Sequence, residues 1–182
     1  MMHPVQELKI RAELLHTRLA SGDADAVVRL RALPELRRAD EPALAEMARV
    51  AQRKHCLAVV AREHGFSSWE HARRVLDGDP KETDLGTLLQ GSPGVLNDWF
   101  TVYDEARAFF AAATTRVYLL AFRRHFFVAG ATFIETLGLD PGDPDWEAIG
   151  WDWARPRDFA ARARLFQKRL TALRSSTTTA QP

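Results

Sequence analysis

A single cysteine, Cys56, stands in a chain of 182 residues, so no internal disulfide can form and a disulfide-stapled secreted scaffold is excluded. Long apolar runs are missing as well: no stretch approaches the roughly 18 uncharged residues that a membrane-spanning helix needs. The N-terminus, Met1-Met2-His3-Pro4-Val5-Gln6-Glu7-Leu8-Lys9, carries early charges and lacks the apolar segment of an export signal. These absences predict a cytoplasmic protein with no membrane partner. An excess of one charge is also lacking. With 25 basic and 24 acidic residues the formal charge is +1, which argues against a nucleic-acid partner. What remains, 46% apolar and 27% charged residues, suits one medium or two small globular domains.

The most legible stretch runs from Ala61 to Leu76 and reads as one helix ending and another beginning. His64 falls in a last helical turn, and Gly65 can take the left-handed conformation that closes it. Ser67 is then expected as the N-cap of the next helix, with Glu70 completing a capping box and Phe66 and Trp69 forming an apolar corner. The string Ala61-Arg62-Glu63-His64-Gly65-Phe66-Ser67-Ser68-Trp69, of the form A-R-E-x-G-F-x-S-W, resembles a helix-turn-helix corner of uncharacterised bacterial proteins, often found beside ankyrin-type repeats. It departs from that pattern at His71 and Ala72, where the family usually carries a Leu. The resemblance implies a helical interaction module with no catalytic residues, whose partner is another protein. The second half, through Trp99-Phe100, Tyr103 to Ala106 and the Asp145 to Trp153 block, is similar to companion domains of the same proteins.

Taken in order, Val5, Leu8, Ala12, Leu15 and Leu19 step by three and four and predict an amphipathic helix. Asp23 or Asp25 caps a second, shorter helix before Pro34, and Asp40 caps a long third helix running to Gly65 with Leu44, Met47, Leu57 and Val60 on its buried stripe. The fourth runs from Ser68 to Leu76. Residues 1–78 are therefore expected to form a four-helix, ankyrin-like module, and the polar, turn-rich 79–94 a linker or loop. Asn97 or Asp98 is expected to cap a helix carrying Trp99, Tyr103, Ala106 and Phe110. The β-branched and aromatic runs Val117–Phe122 and His125–Val128 predict a hairpin turning at Arg123-Arg124. A short helix closed by Gly138, a helical turn begun by Pro144, and a final helix entered at Pro156 complete a small α+β domain, 95–174. The final helix is expected to bury Phe159, Phe166 and Leu170 and to expose Arg157, Arg162, Arg164, Lys168 and Arg169. Residues 175–182 read as a disordered tail. The fold class is mainly α, α+β overall.

Chemistry-bearing patterns are sparse. Gly65-Phe66-Ser67-Ser68-Trp69 lacks the preceding strand and the second glycine of a nucleophile elbow, which leaves Ser67 a cap. A DNA-binding helix-turn-helix would bury His71 and Arg74, whereas the periodicity buries Trp69, Ala72, Val75 and Leu76. His55, Cys56, His64 and His71 show no metal-ligand spacing, so no metal and no cofactor is expected. The candidates for a ligand pocket are Arg123, Arg124, His125, Trp151, Asp152 and Trp153, because aromatic walls with a few convergent charges describe many small-molecule sites. Of these, His125 is the only one suited to acid–base chemistry at neutral pH. Two readings follow: a non-enzymatic protein–protein interaction module or, alternatively, a small-molecule-binding protein or enzyme using an aromatic pocket in the C-terminal half.

Overall fold

The computed structural model of the chain describes residues 2–90 and 96–178, with side chains through Leu173. The chain divides into two compact units, Val5–Arg73 and Arg74–Pro182, with Met1–Pro4 belonging to the second.

In the first unit, α1 (Pro4–Ala20) buries Leu8, Ala12, Leu15 and Leu19 as its periodicity requires. Asp23 caps α2 (Ala24–Arg29) by accepting the Ala26 N–H at 2.9 Å, and turns of 3-10 helix follow at Leu30–Ala32 and Pro34–Leu36. Asp40 caps α3 (Glu41–Val50) through the Ala43 N–H at 2.9 Å. The long third helix expected from the sequence is two helices. Ala51 and Gln52 take extended conformations, with ψ of 130° and 162°, and α4 (Arg53–Glu63) starts afresh, its His55 Nδ1 accepting the Gln52 N–H at 3.0 Å. Apolar spacing carries through such a break unchanged, which is why it was not visible. A fifth helix, α5 (Trp69–Asp77), follows the corner. Gly65, at φ 86°, closes α4, with the Phe66 N–H reaching Ala61 O at 3.0 Å and the Gly65 N–H reaching Arg62 O at 3.0 Å. That turn sets the cap of α5 one residue later than expected. Ser68 Oγ accepts the His71 N–H at 3.1 Å, His71 Nδ1 receives the Ser67 N–H at 3.0 Å, and Glu70 pairs with Arg73 at 2.7 Å instead of completing a box.

The division between the units falls inside α5 rather than in the stretch 79–94. The polar residues there are satisfied locally: Asp79 accepts the Lys81 N–H, Glu82 the Asp84 N–H, and Asp84 the Gly86 N–H. Leu88 and Leu89 are buried, and Arg169 donates to the carbonyls of Leu88 and Gln90. A composition that reads as a linker is thus a chain of side-chain-closed turns packed in the second unit. Residues 91–94 of the expected loop and 179–182 of the expected tail lie outside the described residues, while 175–178 continue the last helix.

The second unit is built on a three-stranded antiparallel sheet ordered β1-β3-β2. β2 (Tyr118–Phe122) and β3 (His125–Ala129) form the expected hairpin, with Phe122 opposite His125. Its tip holds Arg123 at φ 54°, a conformation unfavourable for a side-chain-bearing residue, and it is strapped from outside: the Leu85 N–H donates to Arg123 O at 2.9 Å and the Arg123 N–H to Gly86 O at 2.7 Å. The third strand, β1 (Asp98–Phe100), replaces the helix start expected at Asn97–Asp98, with Trp99 opposite Phe127 and Phe100 opposite Phe126. Cross-strand aromatic pairing holds these residues, and the helix, α6 (Tyr103–Ala112), begins later. Ala106 of α6 packs with Leu119 and Val128 on one face of the sheet. Tyr118 and Phe127 meet Trp146 and Phe133 on the other, where α7 (Ala131–Thr136) and α8 (Pro144–Ala148) lie. The final helix, α9 (Phe159–Thr178), starts after Pro156, and Asp158 accepts the amides of Ala160 and Ala161. Arg162 and Arg169, expected on its solvent side, are buried at 4% and 8% exposure, while Phe159 is 51% exposed. The cause is the demand of interior carbonyls: Arg169 serves Leu88, Gln90 and Leu137, and Arg162 serves Trp153 and Val75.

Candidate functional site

Trp151-Asp152-Trp153 runs along the free edge of β2, with the Leu119 N–H donating to Trp151 O and the Trp153 N–H to Leu119 O, both at 2.8 Å. The segment is bent by Trp151, at φ 52°, which turns its half-buried indole towards Arg116, 5.6 Å from the ring centre. Trp153 enters the core, 4.5 Å from Phe166 and 5.8 Å from Trp146. Asp152 is buried at 5% exposure and faces Tyr103 of α6, whose hydroxyl donates to Oδ2 at 2.6 Å, while the Arg155 N–H of its own segment donates to Oδ1 at 2.9 Å. Burial raises the Asp152 carboxyl above its ordinary range against the pull of the Tyr103 hydrogen bond, and burial together with Asp152 raises the Tyr103 phenol. Arg123, Arg124 and His125 are exposed at the hairpin tip. The structure therefore brings Trp151, Asp152 and Trp153 together on β2 and leaves the two arginines and the histidine at the turn.

Beside this block lies a cavity of about 390 Å³ in the second unit. Its walls come from the end of α5 and the turns after it (Val75, Gly78, Asp79, Glu82, Thr83 and Leu85), from Phe126 of β3, and from the entry to α9 at Ala154, Arg155, Phe159 and Arg162. None of the six residues singled out in the sequence lines it, though two of its walls are their neighbours. Gly78 is required there. Its φ is 77°, and a Cβ would come within 2.6 Å of the Phe159 ring, so only glycine lets the ring approach so closely.

Two cations define the cavity's electrostatics. Arg162 donates to Trp153 O at 3.1 Å and Val75 O at 3.3 Å, and its guanidinium lies 5.1 Å from the Phe159 ring centre. Burial lowers its pKa to about 10, which leaves it protonated at neutral pH. Arg155 is exposed, with its guanidinium 3.8 Å from the ring centre of Tyr103. Among the described residues neither guanidinium has a carboxylate partner. Of the acidic lining residues, Glu82 is already paired with Arg74 at 3.0 Å. Sequence reasoning missed this site, although Arg162 and Arg169 fall on the same helical stripe as Phe166, a spacing that marks them as inward-facing.

His55, His64, His71 and Cys56 serve the first unit. His55 and His71 accept cap hydrogen bonds, Cys56 is buried, and His64 joins α4 to α1. Arg11 donates to His64 Nε2 at 2.8 Å, which makes Nδ1 the protonated nitrogen, and Nδ1–H donates to Val60 O at 2.7 Å. Burial, and Arg11 after it, lowers the His64 pKa, while Glu7 pairs with Arg11 at 2.9 Å. Among the described residues no group of three or more His, Cys, Asp or Glu converges as a metal site, and no helix is long and apolar enough to cross a membrane.

Comparison with protein-family models, with curated proteins and with solved structures gives no match for this chain.

Proposed function

We propose that the chain is a small-molecule-binding protein whose site is the cavity beside Phe126, Arg155 and Arg162. The observation that carries this reading is the cavity's composition: apolar and aromatic walls of ligand size, with two guanidinium groups held by backbone carbonyls and an aromatic ring rather than by a salt bridge. The lining supplies charge and apolar surface for recognition, so the role is binding rather than bond-making. The reading of residues 1–78 as an ankyrin-like module for a protein partner keeps its support from the A-R-E-x-G-F-x-S-W corner, which lies in the unit Val5–Arg73. Its large exposed apolar residues, Leu14, Val28 and Val50, lie on three different helices, which gives that reading less weight than the cavity.

A fragment screen by saturation-transfer NMR on the full chain tests it, with Thr83→Trp as the blocked control, since Thr83 lines the cavity and is exposed enough to accept an indole. Fragments that bind the native protein and are lost from Thr83→Trp support the reading. Fragments that bind both proteins equally, or bind neither, refute it.

A further inference from the structure

We infer that the ligand of this cavity is a small organic monoanion, a carboxylate joined to a flat apolar body; the inference rests on the small-molecule reading above. A guanidinium is a fork of N–H donors matched to a planar carboxylate. Both forks at this site are held in place before any ligand arrives: Arg162 by the carbonyls of Trp153 and Val75, and Arg155 by the face of Tyr103, whose hydroxyl is itself fixed on Asp152. Side chains already immobilised lose little further freedom on binding, which favours affinity.

The charge balance selects the number of negative charges. Arg155 and Arg162 face the cavity together with Asp79 and with Glu82, and Glu82 is neutralised by Arg74. Asp152 acts on Arg162 through space, but it does not line the cavity and Arg107 acts on it in turn. With Glu82 and Arg74 cancelling and Asp79 offsetting one guanidinium, a single positive charge remains for the ligand. A dianionic phosphate would meet Asp79 without a second free cation, whereas a carboxylate matches the balance. The apolar walls, Val75, Leu85, Phe126 and Phe159, then receive the rest of the molecule, and the Phe159 ring, half exposed, offers a face for a planar group to stack on.

Isothermal titration of the full chain with 3-phenylpropionate, 3-phenylpropionamide and phenyl phosphate tests the inference, on the native protein, Arg155→Met and Thr83→Trp. Arg155 is exposed, so its replacement by Met is compatible with folding, which a thermal melt checks. The expected result is that the carboxylate binds at least about tenfold more tightly than either the amide or the phosphate. Arg155→Met should remove most of that preference, and Thr83→Trp should weaken carboxylate and amide alike. Equal affinity for carboxylate and amide, both sensitive to Thr83→Trp, would overturn the monoanion while leaving a small-molecule site in place. Tighter binding of the phosphate would overturn the charge argument. Binding unchanged by Thr83→Trp, or no binding of any of the three compounds, would overturn the site itself.

Discussion

Replacing Trp153 by alanine tests whether the Trp151-Asp152-Trp153 segment is packing or an accessible wall. Trp153 is 1% exposed, wedged between Phe166 and Trp146. Truncating a tryptophan so placed removes its apolar burial and leaves a void that neighbouring rings fill only in part, at a cost of about 3–5 kcal/mol. Trp151 is half-buried, its indole rests on Arg116, and alanine inherits the same left-handed backbone. Losing partial burial and one cation–π contact sums to about 1–2 kcal/mol. For a chain of this size each kcal/mol moves the melting temperature by about 2–4 °C, so Trp153→Ala should lower Tm by about 6–20 °C and Trp151→Ala by about 2–8 °C. Thermal melts followed by far-UV circular dichroism of the native protein and both variants read the difference. The discriminating quantity is the gap between the two, because both substitutions delete the same side chain from the same segment. A Trp153→Ala protein melting no lower than Trp151→Ala would refute the placement of Trp153 in the core and turn it into a wall of a second accessible site.

Further outcomes follow from the corner and from His64. Ser68→Ala should destabilise the protein by about 1 kcal/mol by leaving the His71 N–H without its acceptor, and Ser67→Ala by less, as read from urea midpoints; equal losses would return the cap to Ser67. Because the folded-state pKa of His64 is lowered, the unfolded chain binds the extra proton first as pH falls, so stability should be full above the unfolded value of about 6.5 and decline below it. His64→Gln, which retains an acceptor for Arg11, should reduce that decline between about pH 7.5 and 5.5, and an unchanged slope would place the acid sensitivity elsewhere.

Much of the fold was legible because its signals are local. The stripe of α1, the glycines that close α4 and α7, the Asp23 and Asp40 caps and the β-rich hairpin all depend on residues a turn apart. The failures have a common physical origin in tertiary partners. The break at Ala51-Gln52 preserves apolar spacing, and β1 is three residues long, too short for alternation to show. A pair of arginines looked solvent-facing because charge outranked spacing in assigning the face of α9. The candidate site fared similarly. Trp151, Asp152 and Trp153 were recognised as a block, but the cavity next to it is assembled from α5, β3 and the entry to α9, and its Arg162 is fixed by backbone carbonyls that leave no trace in side-chain identity. The turn at Arg123-Arg124 was placed correctly, yet the strap from Leu85 and Gly86 that holds its left-handed residue was hidden in a stretch whose composition reads as linker.

The segment lying along β2 also bears on how copies of this protein behave in a crowded solution. An open strand edge offers a row of unpaired amides and carbonyls to any other extended chain, the first step in ordered aggregation. At β2 that invitation is withdrawn at Leu119, whose N–H and carbonyl are both taken by the protein's own Trp151 and Trp153. At the opposite edge β1 presents three residues, beginning with a charged aspartate, a length that gives an incoming strand little to hold. Asp152, clasped by Tyr103, pins the guard strand in place, so the same hydrogen bond that orders one wall of the binding region also keeps the sheet closed to its neighbours.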